Sequence, residues 1–237
     1  MASDLPAGSV GIVVGLAAEA RIVRCLGWPV AVGGGEAAGA EAAARRLVAG
    51  GARGLLSFGL CGGLDPALKP GALLVPGTVL TDGVRYTANA GLAAPFGGLT
   101  PHVLLGAGRV AASAEAKRAL RAATGAAGID LESGAVARVA TLAGRPFAVA
   151  RAVCDAADQD LPPAALAALD THGAIGLLRV AASVAAQPAQ VSALVALARN
   201  AAAAHRRLAS AVAAASRAVR RAEHAVAPLE SRGPLRS

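Results

Sequence analysis

Three acidic residues in this 237-residue chain follow apolar segments, at positions where carboxylates could do acid–base chemistry. Glu19 follows the first apolar run, Glu132 comes two residues after Asp130, and Asp155 ends the run at 146–155. In an open α/β sheet, ligands bind beyond the carboxyl ends of the strands. We therefore expect these three carboxylates to lie along one edge of a sheet, where they could donate protons or bind hydroxyl groups.

A glycine-rich stretch, SFGLCGGLDPALKPGALLVP at 57–76, begins at the end of another apolar run. Its glycines fall at Gly59, Gly62 and Gly63, which is not the spacing of GxGxxG, and no Gly-Lys-Ser/Thr follows them. The two commonest phosphate-binding motifs are therefore absent. We interpret the stretch as a turn at a strand end, where a backbone without side chains can approach a ligand closely.

Each acidic residue also has a purely structural interpretation. Glu132 could favour the first turn of a helix through the helix dipole, and Asp155 could be a helix N-cap. Glu19 could pair with Arg21 or Arg24 on the surface. Three acids and a glycine stretch at the strand ends of one sheet are more than helix capping requires, so we keep the functional interpretation beside the structural one.

Apolar runs of strand length alternate with helical patterns along the chain. We predict strands at 10–16, 28–35, 53–60, 71–80, 101–108 and 146–155, and helices at 36–51, 113–125 (with Ser113 as N-cap) and 132–144. This alternation predicts an α/β fold with a largely parallel sheet that is covered on both faces. Because neither a linker nor a change in composition divides the chain, we predict a single domain over 1–237.

The segment at about 191–227 is predicted to form one long helix rich in alanine and arginine. Its structural interpretation is a helix that packs on the sheet with its arginines in water. A membrane-surface role is the alternative, and weak binding to nucleic acid is a further hypothesis of another class. We expect no nucleic-acid partner, because no helix-turn-helix, zinc motif or RNA-binding aromatic pattern is present.

The composition limits the partners and the compartment. The net charge is +8, and only two of the 23 basic residues are lysines. Abundant alanine, glycine and arginine together indicate a GC-rich coding bias, and a real preference for an anionic surface is the alternative. Three cysteines without a pattern argue against a disulfide framework and a zinc site, so we expect a cytoplasmic protein. Neither a secretory signal nor a membrane-spanning segment is predicted.

Three sequence blocks in combination resemble the nucleoside phosphorylase superfamily, and within it the methylthioadenosine/S-adenosylhomocysteine nucleosidases. The blocks are GIVVGLAAEA, the glycine-rich stretch, and GIDLESGAVARVATLAGRPFAVARAVCDAADQD, and they cover the chain from about residue 10 to 160. The resemblance implies a three-layer α/β/α fold with a central mixed, largely parallel, twisted sheet. It also implies a homodimer, a purine nucleoside substrate, and a reaction that needs neither a metal nor an organic cofactor.

The continuation at 157–200 resembles the hopanoid-biosynthesis-associated phosphorylases of this superfamily. That resemblance implies release of adenine from adenosylhopane, a lipid nucleoside made at the inner membrane. The enzyme would then be cytoplasmic and peripheral to that membrane. A soluble nucleoside, such as 5′-methylthioadenosine or S-adenosylhomocysteine, is the alternative substrate.

The resemblance also implies a role for each candidate residue. Asp155 matches the aspartate that protonates the purine at N7, and Glu132 matches the glutamate that binds the ribose hydroxyls. Leu131 stands where a methionine packs on the sugar, and Glu19 resembles the glutamate that helps to position water. The implied contacts to the sugar and the nucleophile in the glycine-rich stretch are Gly59, Leu60, Gly62 and Gly63.

The chain departs from the nucleosidase pattern at the nucleophile and at the base. Leu60 and Cys61 stand where Ser or Thr is common, and no aromatic residue follows the strand at 101–108, where the family often stacks a phenylalanine on the base. Arg109 could bind phosphate or simply be solvated. The sequence therefore leaves open whether water or phosphate attacks the sugar.

Overall fold

The computed structural model describes residues 9–168, 183–184 and 186–226 of the chain. Nine strands in these residues form one sheet. The strands are β1 (Val10–Val14), β2 (Val30–Val32), β3 (Gly54–Gly63), β4 (Leu73–Leu74), β5 (Pro76–Thr81), β6 (Val84–Thr87), β7 (Thr100–Gly106), β8 (Gly128–Asp130) and β9 (Phe147–Asp155).

The sheet is mixed and largely parallel, as predicted. Its order is β2-β1-β3-β8-β7-β5-β6, and β9 pairs with both β3 and β4. The β1/β2, β1/β3, β3/β9, β5/β7 and β7/β8 pairs are parallel. The β3/β8, β4/β9 and β5/β6 pairs are antiparallel. The parallel β1, β3 and β9 therefore end at the same edge of the sheet.

Helices cover both faces of the sheet, which gives the predicted three layers. They are α1 (Ala17–Val23), α2 (Ala37–Ala49), α3 (Ala90–Ala93), α4 (Ala114–Thr124), α5 (Ser133–Leu142), α6 (Pro163–Ala168) and α7 (Val191–Val226). Buried residues of α2 and α5 pack on one face, and buried residues of α1, α3 and α7 pack on the other. Ser113 caps α4, since its side chain accepts a hydrogen bond from the backbone N–H of Ala116. The predicted C-terminal helix corresponds to α7, and the single domain over 1–237 stays a prediction.

Two predicted strands differ from the observed ones. The run at 71–80 is wrong as one element, because the chain changes partner at Val75. The two residues before Val75 pair with β9 as β4, and Pro76 begins β5, which pairs with β6 and β7. The strand predicted at 28–35 is only β2, since Gly34 and Gly35 adopt positive φ values that end the extended backbone.

The core consists mainly of alanine and branched aliphatic side chains, yet two of its largest fully buried side chains are cationic. These are Arg151 on β9 and Lys117 on α4. Lysine and arginine are almost never fully buried unless they are paired. The partners of both cations include predicted acids, since Arg151 pairs with Glu132 and Lys117 pairs with Asp155.

Candidate active site

Glu19 joins the end of β1 to β3. Its carboxylate is buried and accepts hydrogen bonds from the backbone N–H groups of Gly15 and Leu16, each at 2.9 Å. The other oxygen accepts the N–H of Leu60 at 3.0 Å. Glu19 is therefore buried, and its predicted pairing with Arg21 or Arg24 on the surface is wrong. Three of the roughly four acceptor positions of its carboxylate are used, which leaves room for one further donor.

The glycine-rich stretch is not a turn at this point, so that prediction is wrong. β3 continues through Gly63, because its last residues still pair with β9 and β8. Gly59 instead makes space for charged side chains. A Cβ at Gly59, where φ is +152°, would lie 2.5 Å from Oε1 of Glu19 and 2.7 Å from Nη1 of Arg151. Gly59 is thus required by two close approaches as well as by its φ.

The next two glycines of β3 lie beside Asp155. A Cβ at Gly62 would lie 3.4 Å from both carboxylate oxygens of Asp155, and one at Gly63 would lie 2.9 Å from its backbone carbonyl oxygen. Gly59 and Gly62 are three residues apart, which is about 10 Å along a strand. One strand end that carries three glycines therefore runs from Glu19 to Asp155.

Glu132 lies between β8 and α5, with its carboxylate directed away from the helix backbone. It occupies the N-cap position of α5 but makes no side-chain capping bond, whereas Asp130 accepts the N–H of Ser133 at 3.1 Å. Oε2 of Glu132 accepts a hydrogen bond from Nη1 of Arg151 at 3.0 Å. Oε1 is buried and has no hydrogen-bond partner among the described residues. One carboxylate oxygen of Glu132 therefore lacks a donor, and no capping bond to α5 explains its position.

Arg151 organises the acidic cluster from the middle of β9. Its Nε lies 2.7 Å from Oδ2 of Asp130, its Nη2 donates to Oγ of Ser57 at 2.7 Å, and its Nη1 also donates to the backbone carbonyl of Leu60. Burial alone would lower the pKa of this guanidinium, but the carboxylates of Asp130, Glu132 and Glu19 outweigh burial and raise it. The guanidinium is therefore a permanent positive charge that fixes the acids around it.

The carboxyl of Glu132 titrates close to neutral pH in this environment. Burial raises its pKa, the guanidinium of Arg151 opposes that rise, and the carboxylates of Asp130 and Glu19 add to it, giving a pKa of about 7. A carboxyl with this pKa can be present in either protonation state at physiological pH. Such perturbed acids concentrate at functional sites.

Asp155 ends β9 next to a bulge, and its partner is Lys117. Opposite Gly62, the β9 register moves from Val153 to Asp155 and leaves Cys154 unpaired. Nζ of Lys117 lies 2.5 Å from Oδ2 of Asp155, and Sγ of Cys154 lies 3.2 Å from Oδ1. Bulges often redirect a side chain next to an active site. Asp155 begins no helix in the structure, so the N-cap interpretation is wrong.

A pocket of about 170 Å³ opens beside Asp155. Polar groups of Gln159 and Asp160 line it together with Asp155, and apolar side chains supply the rest of its wall. The apolar lining comes from the segment before α6 and from the first turns of α7, at Leu161, Pro162, Ala193, Ala196 and Leu197. The predicted acid thus faces a mainly apolar cavity.

Residues 8–107 match the family model described as the phosphorylase superfamily. Among solved structures, an S-adenosylhomocysteine nucleosidase from Streptococcus pyogenes, in complex with 5-methylthiotubericidin, superposes with a TM-score of 0.65 at 14% identity, over 90% of this chain and 98% of that one. A futalosine hydrolase from Helicobacter pylori superposes with a TM-score of 0.62 at 18% identity, over 87% and 97%. No curated protein matches the sequence.

This chain has the nucleoside phosphorylase fold. A third solved structure agrees, a methylthioadenosine/S-adenosylhomocysteine nucleosidase from Colwellia psychrerythraea in complex with adenine, with a TM-score of 0.59 at 16% identity over 65% of this chain and 84% of that one. The resemblance predicted from the sequence is confirmed at the level of the fold, and the first part of the chain matches the family model. Membership of the hopanoid branch stays a prediction, and residues 169–182 and 185 of the stretch that suggested it lie outside the described residues.

The remaining predicted site residues make fewer side-chain contacts with the acidic cluster. Leu60 uses its backbone, which donates to Glu19 and accepts from Arg151, while its side chain packs against the core on the α1 and α7 face. Leu131 is half-buried between two of the acids, and Arg109 is exposed. In the described parts of the chain, no group of three or more His, Cys, Asp or Glu side chains could hold a metal ion. The roles predicted for these residues stay predictions.

Two functional candidates were missed by sequence reasoning, namely Arg151 and Lys117. Arg151 did have a signal, since it is the one charge within the apolar run FAVARAV of β9. Because a strand of a doubly covered sheet is buried on both faces, a charge inside it requires buried partners. Lys117 had no such signal, because a lysine on a helix that also carries arginines looks like part of a solvated face.

Proposed function

We propose that this chain cleaves the N-glycosidic bond of a purine nucleoside and releases the free base. The observation that carries the proposal is the buried, unpartnered Oε1 of Glu132, which lies at the strand edge that also presents Glu19 and Asp155. An acceptor oxygen without a donor in a buried site is costly unless a ligand supplies the donor. The solved structures of this fold include nucleosidases and one bound to adenine, which supports a nucleoside as that ligand.

In the proposed reaction, Asp155 and Glu132 have different roles. The bond between sugar and base breaks through a transition state in which positive charge develops on the sugar and negative charge on the purine. Asp155 would donate a proton to N7 of the purine, a contribution typically of about 10²–10⁴-fold. Glu132 would accept hydrogen bonds from the ribose hydroxyls and stabilise the cationic sugar electrostatically. Arg151 holds Glu132 in place for this role.

We infer that water attacks the sugar more readily than phosphate does. The one acceptor position left on Glu19 suits a water molecule, which can donate a hydrogen bond to it. A phosphate dianion near Gly59 would approach the carboxylates of Glu19 and Glu132. The guanidinium beside them is already engaged by Asp130 and Glu132. Repulsion between the phosphate and these two carboxylates disfavours phosphate as the nucleophile. Hydrolysis is therefore the proposed reaction, and phosphorolysis is its alternative.

We further propose that the nucleoside is lipid-linked, with adenosylhopane as the specific candidate. Apolar side chains from the first turns of α7, at Ala193, Ala196 and Leu197, line the pocket beside Asp155. An apolar rim next to the site suits a bulky hydrocarbon tail. A soluble nucleoside such as 5′-methylthioadenosine or S-adenosylhomocysteine is the alternative substrate, because nucleosidases acting on it share the fold.

Adenine release is the direct test of this function. Purified protein would be incubated with adenosylhopane in detergent or with 5′-methylthioadenosine, each with and without phosphate, and free adenine would be measured by chromatography. We expect adenine without phosphate, and faster release from the lipid nucleoside. Release that requires phosphate would replace hydrolysis by phosphorolysis, and no release from either substrate by the folded protein would overturn the proposal.

A matched pair of variants tests the role of Asp155. We expect Asp155→Asn to lower adenine release by at least about 100-fold, because amide nitrogen cannot supply the acidic proton. Asp158→Asn is the control, since Asp158 is an exposed carboxylate in the loop that follows β9. Near-normal turnover of the Asp155 variant would remove that residue from the mechanism.

Peripheral association with an anionic inner-membrane surface is the proposed location on the cytoplasmic side. The arginines of α7 support it electrostatically, since basic residues near such a surface each contribute about 1 kcal/mol. No helix within the described residues combines the length and apolarity that a membrane crossing requires. Co-sedimentation with anionic vesicles but not with neutral ones would support this location, and equal binding to both would count against the role of charge.

A homodimer, and a reaction without a metal or organic cofactor, complete the proposal. Both follow from the resemblance to the nucleosidases. Light scattering at assay concentration tests the dimer, and adenine release after treatment with a chelator and exhaustive dialysis tests the cofactor. A monomer with full activity would contradict the homodimer. Activity that returns only on adding a metal would contradict the reaction without a cofactor.

A further inference from the structure

Lys117 is among the most deeply buried side chains of the protein, and every donor of its ammonium has a partner. Nζ donates to Oδ2 of Asp155 at 2.5 Å and to the backbone carbonyl oxygens of Ala156 and Gln159, both at 2.8 Å. Its relative exposure is 0%. A lysine has three donors, so this geometry uses all of them. Lys117 therefore ties the carboxylate of Asp155 and the loop after β9 to one fixed point on α4.

The contact also decides which oxygen of Asp155 faces a ligand. Lys117 occupies Oδ2, whereas the described residues give Oδ1 only the weak S–H donor of Cys154. Oδ1 is thus the oxygen that retains the capacity to exchange a proton with a purine base. Lys117 can therefore orient the carboxyl of Asp155 without itself touching the substrate.

We propose that Lys117 is the positioning residue of the acid Asp155 and sets the pH range in which that acid works. The inference rests on the proposed function. In the reaction, the proton moves from Asp155 to N7 of the purine, the electron pair of the broken C–N bond goes to the purine, and a buried carboxylate remains. The ammonium of Lys117 compensates that carboxylate as it forms, because an opposite charge within about 4–6 Å favours the ionised form.

The same ammonium acts against the protonated form of Asp155 before the reaction. Removing it should therefore have two opposite effects. Proton donation becomes slower, because the carboxylate would be left buried without a counter-ion. At the same time, activity should persist to higher pH, because a buried carboxyl without a cation keeps its proton longer. A residue that serves only folding would produce neither the second effect nor the combination.

The other ionisable groups around Lys117 and Asp155 do not account for a change in the pH range of activity. Burial raises the pKa of the Cys61 thiol on β3, and burial with the nearby Asp155 charge raises that of Cys154. Asp160 accepts the N–H of Ala114 at the start of α4, and Arg121 of α4 pairs with Asp65. The pocket-lining residues of α7 are apolar. Lys117 is thus the cation that contacts Asp155 among the described residues.

The test compares pH profiles of kcat for adenine release in the wild type, Lys117→Met and Lys69→Met. Lys69 is the only other lysine and is exposed, so it is the matched control. We expect Lys117→Met to lower the maximal kcat by about tenfold or more. We also expect its alkaline limb to lie at least about one pH unit higher than that of the wild type. The control should reproduce the wild-type profile.

The same experiment distinguishes a wrong role for Lys117 from a wrong nucleosidase assignment and from a variant that does not fold. An alkaline limb that stays in place, or moves to lower pH, in an active Lys117→Met protein overturns the inference and leaves the nucleosidase proposal intact. A wild type without adenine release overturns the function itself. Lys117→Arg retains the cation and should keep the wild-type limb. If Lys117→Met does not fold, Lys117→Gln takes its place, because it can still donate a hydrogen bond but carries no charge.

Discussion

Replacing Glu132 by glutamine should change how the stability of the protein depends on pH. In the folded protein, burial raises the pKa of this carboxyl, the cation of Arg151 opposes the rise, and neighbouring carboxylates bring the value to about 7. In the unfolded chain the same carboxyl titrates near its ordinary value of 4.5. The folded state therefore holds a proton on Glu132 over a pH range in which the unfolded state has released it.

The sign and size of the effect follow from this difference. Where the folded state binds more protons than the unfolded state, the free energy of unfolding falls as pH rises. The gap between the two pKa values corresponds to about 3 kcal/mol. The loss is absent below pH of about 4.5, develops up to pH of about 7, and is complete above it. Glutamine keeps the shape and has no proton to lose, so Glu132→Gln should not show this loss.

Urea unfolding at pH 5 and pH 8 measures the effect. Relative to the wild type, we expect Glu132→Gln to gain up to about 3 kcal/mol in free energy of unfolding on going from pH 5 to pH 8. Glu36→Gln is the control, because Glu36 is exposed, and its curve should stay parallel to the wild type. Parallel curves for Glu132→Gln as well would refute the reasoning that burial keeps this carboxyl protonated.

Two other substitutions test the charged cluster around β3. We expect Arg151→Met to destabilise the protein by about 3–5 kcal/mol in thermal or urea unfolding, because it leaves buried carboxylates without a cation. The exposed Arg145→Met should change little, and equal effects of the two would count against the buried cluster. We expect Gly59→Ala to destabilise by about 1–3 kcal/mol and to lower adenine release, since its Cβ would collide with Oε1 of Glu19. Gly108→Ala, at a position with nothing within 4 Å of the added Cβ, is the control, and an unaffected Gly59→Ala would contradict the close approach.

The sequence alone predicts the convergence of the acids, because it depends on a general property of parallel sheets. Glu19 follows β1 and Asp155 ends β9, and both strands run parallel to β3. Carboxyl ends of parallel strands meet at one edge whatever the details of packing. The sequence could not predict the unpartnered oxygen of Glu132 or the bulge before Asp155. Both depend on the register in which the strands pair.

The glycines of β3 show how a correct observation can receive a wrong interpretation. Glycine usually indicates a turn because it adopts positive φ without strain. In β3 it serves a different need. Gly59 permits the close approach of the Glu19 and Arg151 side chains, and Gly63 permits that of the backbone carbonyl of Asp155. The need was not predictable without Arg151, whose position inside an apolar strand was the available signal.

The missed strand β6 had a local signal that periodicity did not capture. Asp82 and Gly83 form a two-residue connection between β5 and β6, and both have positive φ. Asp-Gly between two strands is a strong short-range indication of a hairpin. β6 itself is mostly exposed and only four residues long, so its apolar pattern is too weak to predict a strand without the turn.

The two buried cations differ in a way that suits the two acids they hold. Arginine remains charged at any accessible pH and binds with a planar fork, so Arg151 can keep Asp130 and Glu132 in one arrangement throughout a reaction. Lysine is a compact point charge whose three donors can rearrange around one oxygen. An acid that must alternate between its protonated and ionised forms needs a counter-ion that tolerates both. Lys117 meets that requirement because two backbone carbonyls continue to hold its ammonium when Asp155 is neutral. An arginine beside Glu132 and a lysine beside Asp155 therefore fit the roles proposed for these two acids, sugar binding and proton donation.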